Sequence, residues 1–296
     1  MLYPLSYEGG RPPRPVGGPA PSGTPISIQG DGPYYALAMA AAAQVPAFRA
    51  TFLPDTASTR QYIGAWAVLS VVQYFVAEAA VIGAWAGPDP YSRRTGLISD
   101  LGAVTCGLYD GRSVCSPLHV LMNASFVVQG LGMLLGALLL SSALLRVAAR
   151  AGVRVAASHT GEVPWYTAVA VRLLTGTAGT GTVIVGLVPE DVESAWHYAG
   201  AVMYFIAGSL ALLLLGWLWL RQSPLGWFIL AAGGVSTAAL ATAAVAGLDV
   251  PEPGTLERLM AYPITVGLSA AGLVVAQRVR KERQVRKALA ARARAA

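Results

Sequence analysis

Six long apolar runs constrain this chain more than any other feature: Tyr62 to Ala86, Leu118 to Leu145, Trp165 to Val188, His197 to Leu220, Leu225 to Gly247 and Leu256 to Gln277. Each holds about 22 to 28 residues, and about 20 suffice for a helix to cross a hydrocarbon core near 30 Å. Backbone amides in lipid must be satisfied within their own segment, and the runs lack the strict alternation of a barrel strand, so all six read as helices. The fold class expected is all-α, a polytopic membrane bundle of six transmembrane helices. Composition agrees: 55% of residues are hydrophobic and 12% charged, against about 25% charged in a soluble domain. A soluble enzyme, a disordered chain and a disulfide-rich scaffold are thereby excluded.

The remaining segments divide the chain. Residues 1–33 are rich in Pro and Gly and read as a disordered tail. Residues 34–61 hold a short apolar stretch, interrupted by Pro46, that fits an interfacial or peripheral helix and linker better than a further span. Residues 62–278 are the membrane domain, and 279–296 a basic helical tail. Net charge is +6, and 19 of the 21 basic residues are Arg beside abundant Ala, a bias expected of a GC-rich bacterial genome. Sixteen basic residues fall on one side of the spans and four on the other (Arg93, Arg94, Arg112 and Arg258), where nine acids also lie. Arg and Lys concentrate in cytoplasmic loops. Both termini are expected in the cytoplasm of a bacterium, with the chain in its plasma membrane. The tail from Arg278 onward suits a topogenic anchor near anionic lipid headgroups; nucleic acid is not an expected partner, because no aromatic platform accompanies these bases.

Polar chemistry gathers on the opposite face. The first loop there contains Ser99 and Asp100, and the second span begins with His119 and Asn123, four residues apart on one helix face. The second loop supplies Glu190 and Asp191, and the next span begins with His197. The third supplies Arg258, with Tyr262 one turn below. Four readings stay open. His119, His197, Asp100 and Asp191 have the ligand types for zinc and water activation, though without HxxxH or HExxH spacing. The two histidines, on different helices at one depth, suit a single b-type haem. Asp100 or a histidine suits a general acid or base near Ser99. The plainest reading is that these groups cap helices and order loops, as Asp191 would by capping the fourth span. The candidate catalytic set is therefore Asp100, His119, Asp191 and His197, and the candidate binding set Ser99, Asn123, Glu78, Arg258 and Tyr262.

Cys106 and Cys115 lie within the same loop, where a disulfide would brace the segment after Asp100. Glu78 and Arg172 are charges within spans, which usually face a bundle interior. Counted by helical rise they lie at different depths, so Glu78 belongs with the loop cluster, as the floor of a cavity, and Arg172 with the other face. Gly132 with Gly136, Gly176 with Gly179 and Gly181, and Gly200 with Gly208 and Gly216 mark close helix packing.

Taken in order, Pro90-Tyr91-Ser92, Ile98-Ser99-Asp100-Leu101-Gly102, Asn123, Gly186-Leu187-Val188-Pro189-Glu190-Asp191, His197, Gly200, Glu257-Arg258 and Tyr262-Pro263 resemble the bacterial and archaeal membrane family catalogued as domain of unknown function 998. The resemblance covers about residues 62 to 278. It implies six helices without an established activity, and groups Asp100, Asn123, Asp191 and His197 in one site. A more distant similarity, to lipid-remodelling and autophagy-linked membrane families, favours a lipid role over ion transport. The expected function is an outward polar pocket that binds or processes a lipid or lipid-linked headgroup. A non-catalytic scaffold subunit of an envelope complex is the next reading, and a small-solute transporter the third.

Overall fold

The structure, a computed structural model, describes residues 57–150 and 165–295. The tail 1–33, most of the segment 34–61, and Arg154 and His159 in the basic loop lie outside the described residues. Six helices are long and apolar enough to cross a membrane.

The first span, Thr59 to Gly83, is assembled from α1 (Thr59–Leu69), a 3-10 turn (Ser70–Gln73) and α2 (Tyr74–Gly83). The tightening has a local cause. The Ser70 hydroxyl donates to Ala67 O at 2.7 Å, competing with the regular helical ladder. The second span, α3 (His119–Leu139), ends earlier than the apolar run. Leu140 turns extended, and Ser141 caps the short α4 (Ser142–Leu145), its hydroxyl accepting from Leu144 N. The Ser141 amide donates to Gln61 Oε1 at 2.9 Å, which fixes the break against α1. Then come α5 (Trp165–Leu187), α6 (Ser194–Trp219), α7 (Leu225–Ala246) and α8 (Pro253–Ala295). Pro253 begins α8, where a missing N–H is no loss, and the helix continues without a break through the basic tail.

The spans pack in chain order around a ring: α1 on α3, α3 on α5, α5 on α6, α6 on α7, α7 on α8, and α8 back on α1, with α8 also touching α6. Small residues set the closest crossings. A Cβ on Gly181 would sit 2.4 Å from Gly200 O, and one on Gly200 2.7 Å from Gly181 O, so α5 and α6 meet backbone to backbone. Gly130 and Gly179 do the same for α3 and α5, at 2.5 and 2.7 Å. Gly132 meets Ala67 O and Gly136 meets Val68, joining α3 to α1. The ring is uneven. The apolar stretch of α8 is 61% buried and that of α7 only 22%, so α8 is the most buried helix of the ring and α7 its most peripheral.

Three connections, residues 84–118, 188–193 and 247–252, lie together on one face, here called the loop face. Within the first, β1 (Gly107–Tyr109) and β2 (Arg112–Val114) pair antiparallel, with Tyr109 opposite Arg112. Asp110 and Gly111 both take positive φ, 46° and 76°, as a two-residue hairpin with the strand twist requires. A Cys106–Cys115 disulfide closes the hairpin base.

Candidate functional site

Three clasps hold the loop face together. The deepest joins the first span to the last. Arg258, on the second turn of α8, reaches Glu78 Oε1 with Nε and Nη2 at 3.2 and 3.1 Å, and Tyr262 donates to both Glu78 oxygens at 2.7 and 2.6 Å. Arg258 Nη1 donates to Arg93 O, Gly96 O and Gly254 O, and Nη2 to Tyr91 Oη at 2.6 Å. Tyr91 in turn donates to Leu97 O at 2.6 Å, and burial pushes its hydroxyl pKa up against the opposing pull of Arg258. Gly254 makes the approach possible, since a Cβ there would lie 2.2 Å from Gly96 O. Glu78 therefore pairs with Arg258, 180 residues away. Arg172, the other intramembrane charge, donates to Ala137 O and Ser142 Oγ near the opposite face.

The second clasp centres on Arg112, which the hairpin presents to three carboxyls. It reaches Asp100 at 3.0 Å, Asp110 at 3.2 Å and Glu190 at 3.4 Å. Burial alone would lower the guanidinium pKa, but Asp100, Glu190 and Asp110 together outweigh it and the net shift is upward. Asp100 also accepts from Leu97 N at 2.8 Å, closing the 3-10 turn Ser99–Gly102 on itself. Glu190, 2% exposed, has its pKa pushed up to about 8 by burial, against the opposing pull of Ser99 and Arg112.

The third clasp joins the first loop to the second. Asp191 accepts from Val104 N at 3.1 Å and from the amide and hydroxyl of Thr105, both at 2.8 Å. Burial raises its pKa, but the Thr105 and Val104 hydrogen bonds outweigh that and bring it below the ordinary value. Asp191 does not cap α6: the cap position is Glu193, without a side-chain bond. Asn123 donates to Gly102 O at 2.8 Å and Arg94 pairs with Glu252, so all three connections are tied to one another.

The sequence candidates therefore separate. Glu78, Arg258 and Tyr262 form one cluster, Asp100 sits in a second and Asp191 in a third. His119 lies apart, its Nδ1 on Ser116 O at 3.0 Å. Among the described residues no group of three or more His, Cys, Asp and Glu side chains converges as metal ligands. His197 and Ser99 meet elsewhere, with Glu257 and Glu190, at the head of a groove of about 600 Å³ between α6, α7 and α8. Its walls are apolar, among them Ala201, Phe205, Leu240, Ala244 and Met260. Glu257 accepts from the Ile98 amide at the start of the 3-10 turn. His197 is 5% exposed, and its Nδ1 lies 2.8 Å from Val188 O. A carbonyl only accepts, so Nδ1 carries the proton and Nε2 of the neutral ring is an acceptor. Behind the same residues an inner cavity of about 40 Å³ reaches Tyr74, Gln129 and Tyr204. The buried Tyr74 hydroxyl, which borders it, makes no hydrogen bond among the described residues. The volume suits one to three waters, at about 10–15 Å³ each by this measure.

The sequence placed Glu190 and Glu257 on the polar face, but the candidate sets drawn from it left out both, and Arg112 as well. The Asp110-Gly111 pair was a legible hairpin signal that would have brought Arg112 back toward Asp100.

A ring of six long apolar helices with its polar chemistry confined to one end defines a multi-pass integral membrane protein. The chain belongs to the family described as Protein of unknown function (DUF998), whose model matches residues 68–274. No curated protein and no solved structure matches it.

Proposed function

We propose that the protein binds a lipid or lipid-linked amphiphile in the groove between α6, α7 and α8, chain along the apolar walls and head against Ser99, Glu190, His197 and Glu257. The single observation that carries this is the groove's polarity: some 600 Å³ of largely apolar space ending in four polar side chains. Exposed Val202, Ile206 and Leu248 border it, so an amphiphile enters sideways from the bilayer without leaving an apolar medium. The uneven basic charge supports a loop face outside a bacterial plasma membrane with both termini in the cytoplasm. A disulfide on that face is in keeping with an oxidising compartment.

The test is lipid retention. Ala244→Trp fills the groove from an exposed position on α7, and Val235→Trp adds the same bulk to α7 at a residue outside the groove lining. Native mass spectrometry of the purified proteins should show a co-purifying amphiphile in the parent chain and Val235→Trp, lost in Ala244→Trp. Equal occupancy in all three overturns the reading. Labelling of a cysteine placed beside Asp100 by an impermeant reagent on intact cells checks the orientation; labelling only after lysis overturns it.

A further inference from the structure

The lining of the groove head carries two carboxyl groups, from Glu190 and Glu257, and no Arg or Lys. We infer that the groove selects amphiphiles with a cationic head, a long-chain amine or quaternary ammonium, over those with an anionic phosphate head. The inference rests on the amphiphile-binding reading above and adds the sign of the head's charge.

Three of the four cations of the loop face are committed elsewhere, and the fourth, Arg93, is exposed and outside the groove lining. Arg258 directs all its N–H groups to Glu78, Tyr262, Tyr91 and three carbonyls. Arg94 is on Glu252. Arg112 stands behind Glu190, divided among Asp100, Asp110 and Glu190, at its longest distance from Glu190. Four carboxyls around one guanidinium, counting Glu257, leave the head region net negative even with Glu190 protonated. His197 adds an acceptor, because its Nδ1–H is held by Val188 O, and its Nε2 makes no hydrogen bond among the described residues. A phosphate head here would meet Glu257, the Glu190 carboxyl and a ring lone pair with no cation to receive it, whereas an ammonium meets acceptors and draws Glu190 into its ionised form. Phe205 and Tyr198 in the lining add aromatic faces of the kind cations favour.

The experiment uses the full chain in a nonionic maltoside detergent, with dodecyltrimethylammonium, dodecyl phosphate and uncharged dodecanol offered at equal concentration and bound ligand read by native mass spectrometry. The ammonium should bind at least about tenfold tighter than the phosphate, a threshold well within what one carboxylate at contact distance supplies at a protein-surface dielectric. Glu190→Gln should reduce that ratio, and Glu190→Gln with Glu257→Gln should bring it near one; the single variant, which keeps the side-chain shape and leaves the Glu257 link to Ile98 intact, stands if the double variant does not fold. Equal or phosphate-favouring binding that Ala244→Trp still blocks overturns the charge selection and leaves amphiphile binding standing. A preference that survives both Gln substitutions also overturns it. Binding of none of the three, or binding indifferent to Ala244→Trp, overturns the amphiphile reading and this inference with it.

Discussion

Replacing Arg258 by Met removes the cation from the deepest clasp and preserves most of the side chain's length. Arg258 and Glu78 are both buried, 6% and 2% exposed, and breaking such a pair by deleting one partner costs about 3–5 kcal/mol, because the remaining charge is left uncompensated. Two structural details place the expected loss. Tyr262 still donates to both Glu78 oxygens, which softens the orphaned charge. Against that, Arg93 O loses its donor and Gly96 O keeps only the Tyr91 hydroxyl, and bonds from charged groups are worth about 1.5–3 kcal/mol each without adding up. The net expectation is a loss of about 3–4 kcal/mol, in the lower half of the range for a broken buried pair. Glu78→Gln should cost less, about 2 kcal/mol, because the amide still accepts from Tyr262. The double variant should fall short of the sum by about 2 kcal/mol, as contacting partners in one network do. Equilibrium unfolding in mixed micelles with rising sodium dodecyl sulfate measures all three, and limited proteolysis at Arg93 and Arg94 reports the loop that the clasp holds. A loss under about 1 kcal/mol for Arg258→Met, or strict additivity, would refute the assignment of the clasp as the main tie between the first and last spans.

Reducing the Cys106–Cys115 bridge, or replacing both residues by Ser, should cost about 2–3 kcal/mol if the hairpin unfolds with the bundle, the value expected for a loop of this size; unchanged unfolding would show the hairpin to be independent of it. Gly181→Ala puts a methyl 2.4 Å from Gly200 O and should cost about 1–3 kcal/mol by forcing α5 from α6, whereas alanine at Gly234, where a Cβ meets nothing within 4 Å, should be tolerated or gain from its helix propensity. Glu190 carries a pH signature. Its pKa is raised from 4.5 to about 8 by burial, so between those values the folded chain holds a proton that the unfolded chain has lost; its contribution to stability is full below about pH 4.5, falls by up to about 1.4 kcal/mol per pH unit, and is level above about pH 8. The groups facing it are Ser99, Asp100, Arg112, Tyr109, Tyr198 and Glu257, and Glu190→Gln should flatten this window in thermal unfolding curves; an unchanged slope would contradict the assignment. A bound quaternary ammonium that meets Glu190 ionised should displace the same proton, so its affinity should rise from about pH 6 to about pH 8 in the parent chain and stay flat in Glu190→Gln.

How much was legible from the sequence follows the range of the forces involved. Hydropathy is a property of consecutive residues, and it located all six spans, although the second helix stops at Leu139, short of its apolar run, and the last continues to Ala295. Their interruptions depend on single hydroxyls, Ser70 onto Ala67 O and Ser141 onto Leu144 N, which a run of apolar residues conceals. The packing glycines were legible as small residues, but which helix each one meets depends on the ring order. At the loop face the residue types were legible and their partners were not. Glu78 with Arg258 and Asp191 with Thr105 join residues 180 and 86 apart, and no local pattern encodes either. Arg112 was read as one of four bases on its side, when a hairpin turn brings it back to Asp100.

Those pairings explain why the loop face, though rich in charge, offers a site in one direction only. Glu78, Asp100, Asp191 and Glu252 each have strong internal donors, and their arrangement immobilises connections that would otherwise move independently of the helices. Glu190 and Glu257 take their partners from the side of the turn, Arg112 and Ser99 for the one and the Ile98 and Ser99 amides for the other. Both line the groove beside α7, the least buried helix of the ring. Rigidity and vacancy thus fall on opposite sides of the 3-10 turn Ser99–Gly102. Asp100 anchors that turn to the hairpin, while Ser99 lines the groove. On the proposed amphiphile reading, a ligand entering beside α7 would need only that peripheral helix to yield, because the clasps fix the head region against α8, the most buried helix. The same division separates the effects of mutation. Changes at Arg258, Arg112 or Asp191 act first on folding, whereas changes at Glu190, His197 or Ala244 act first on what the groove holds.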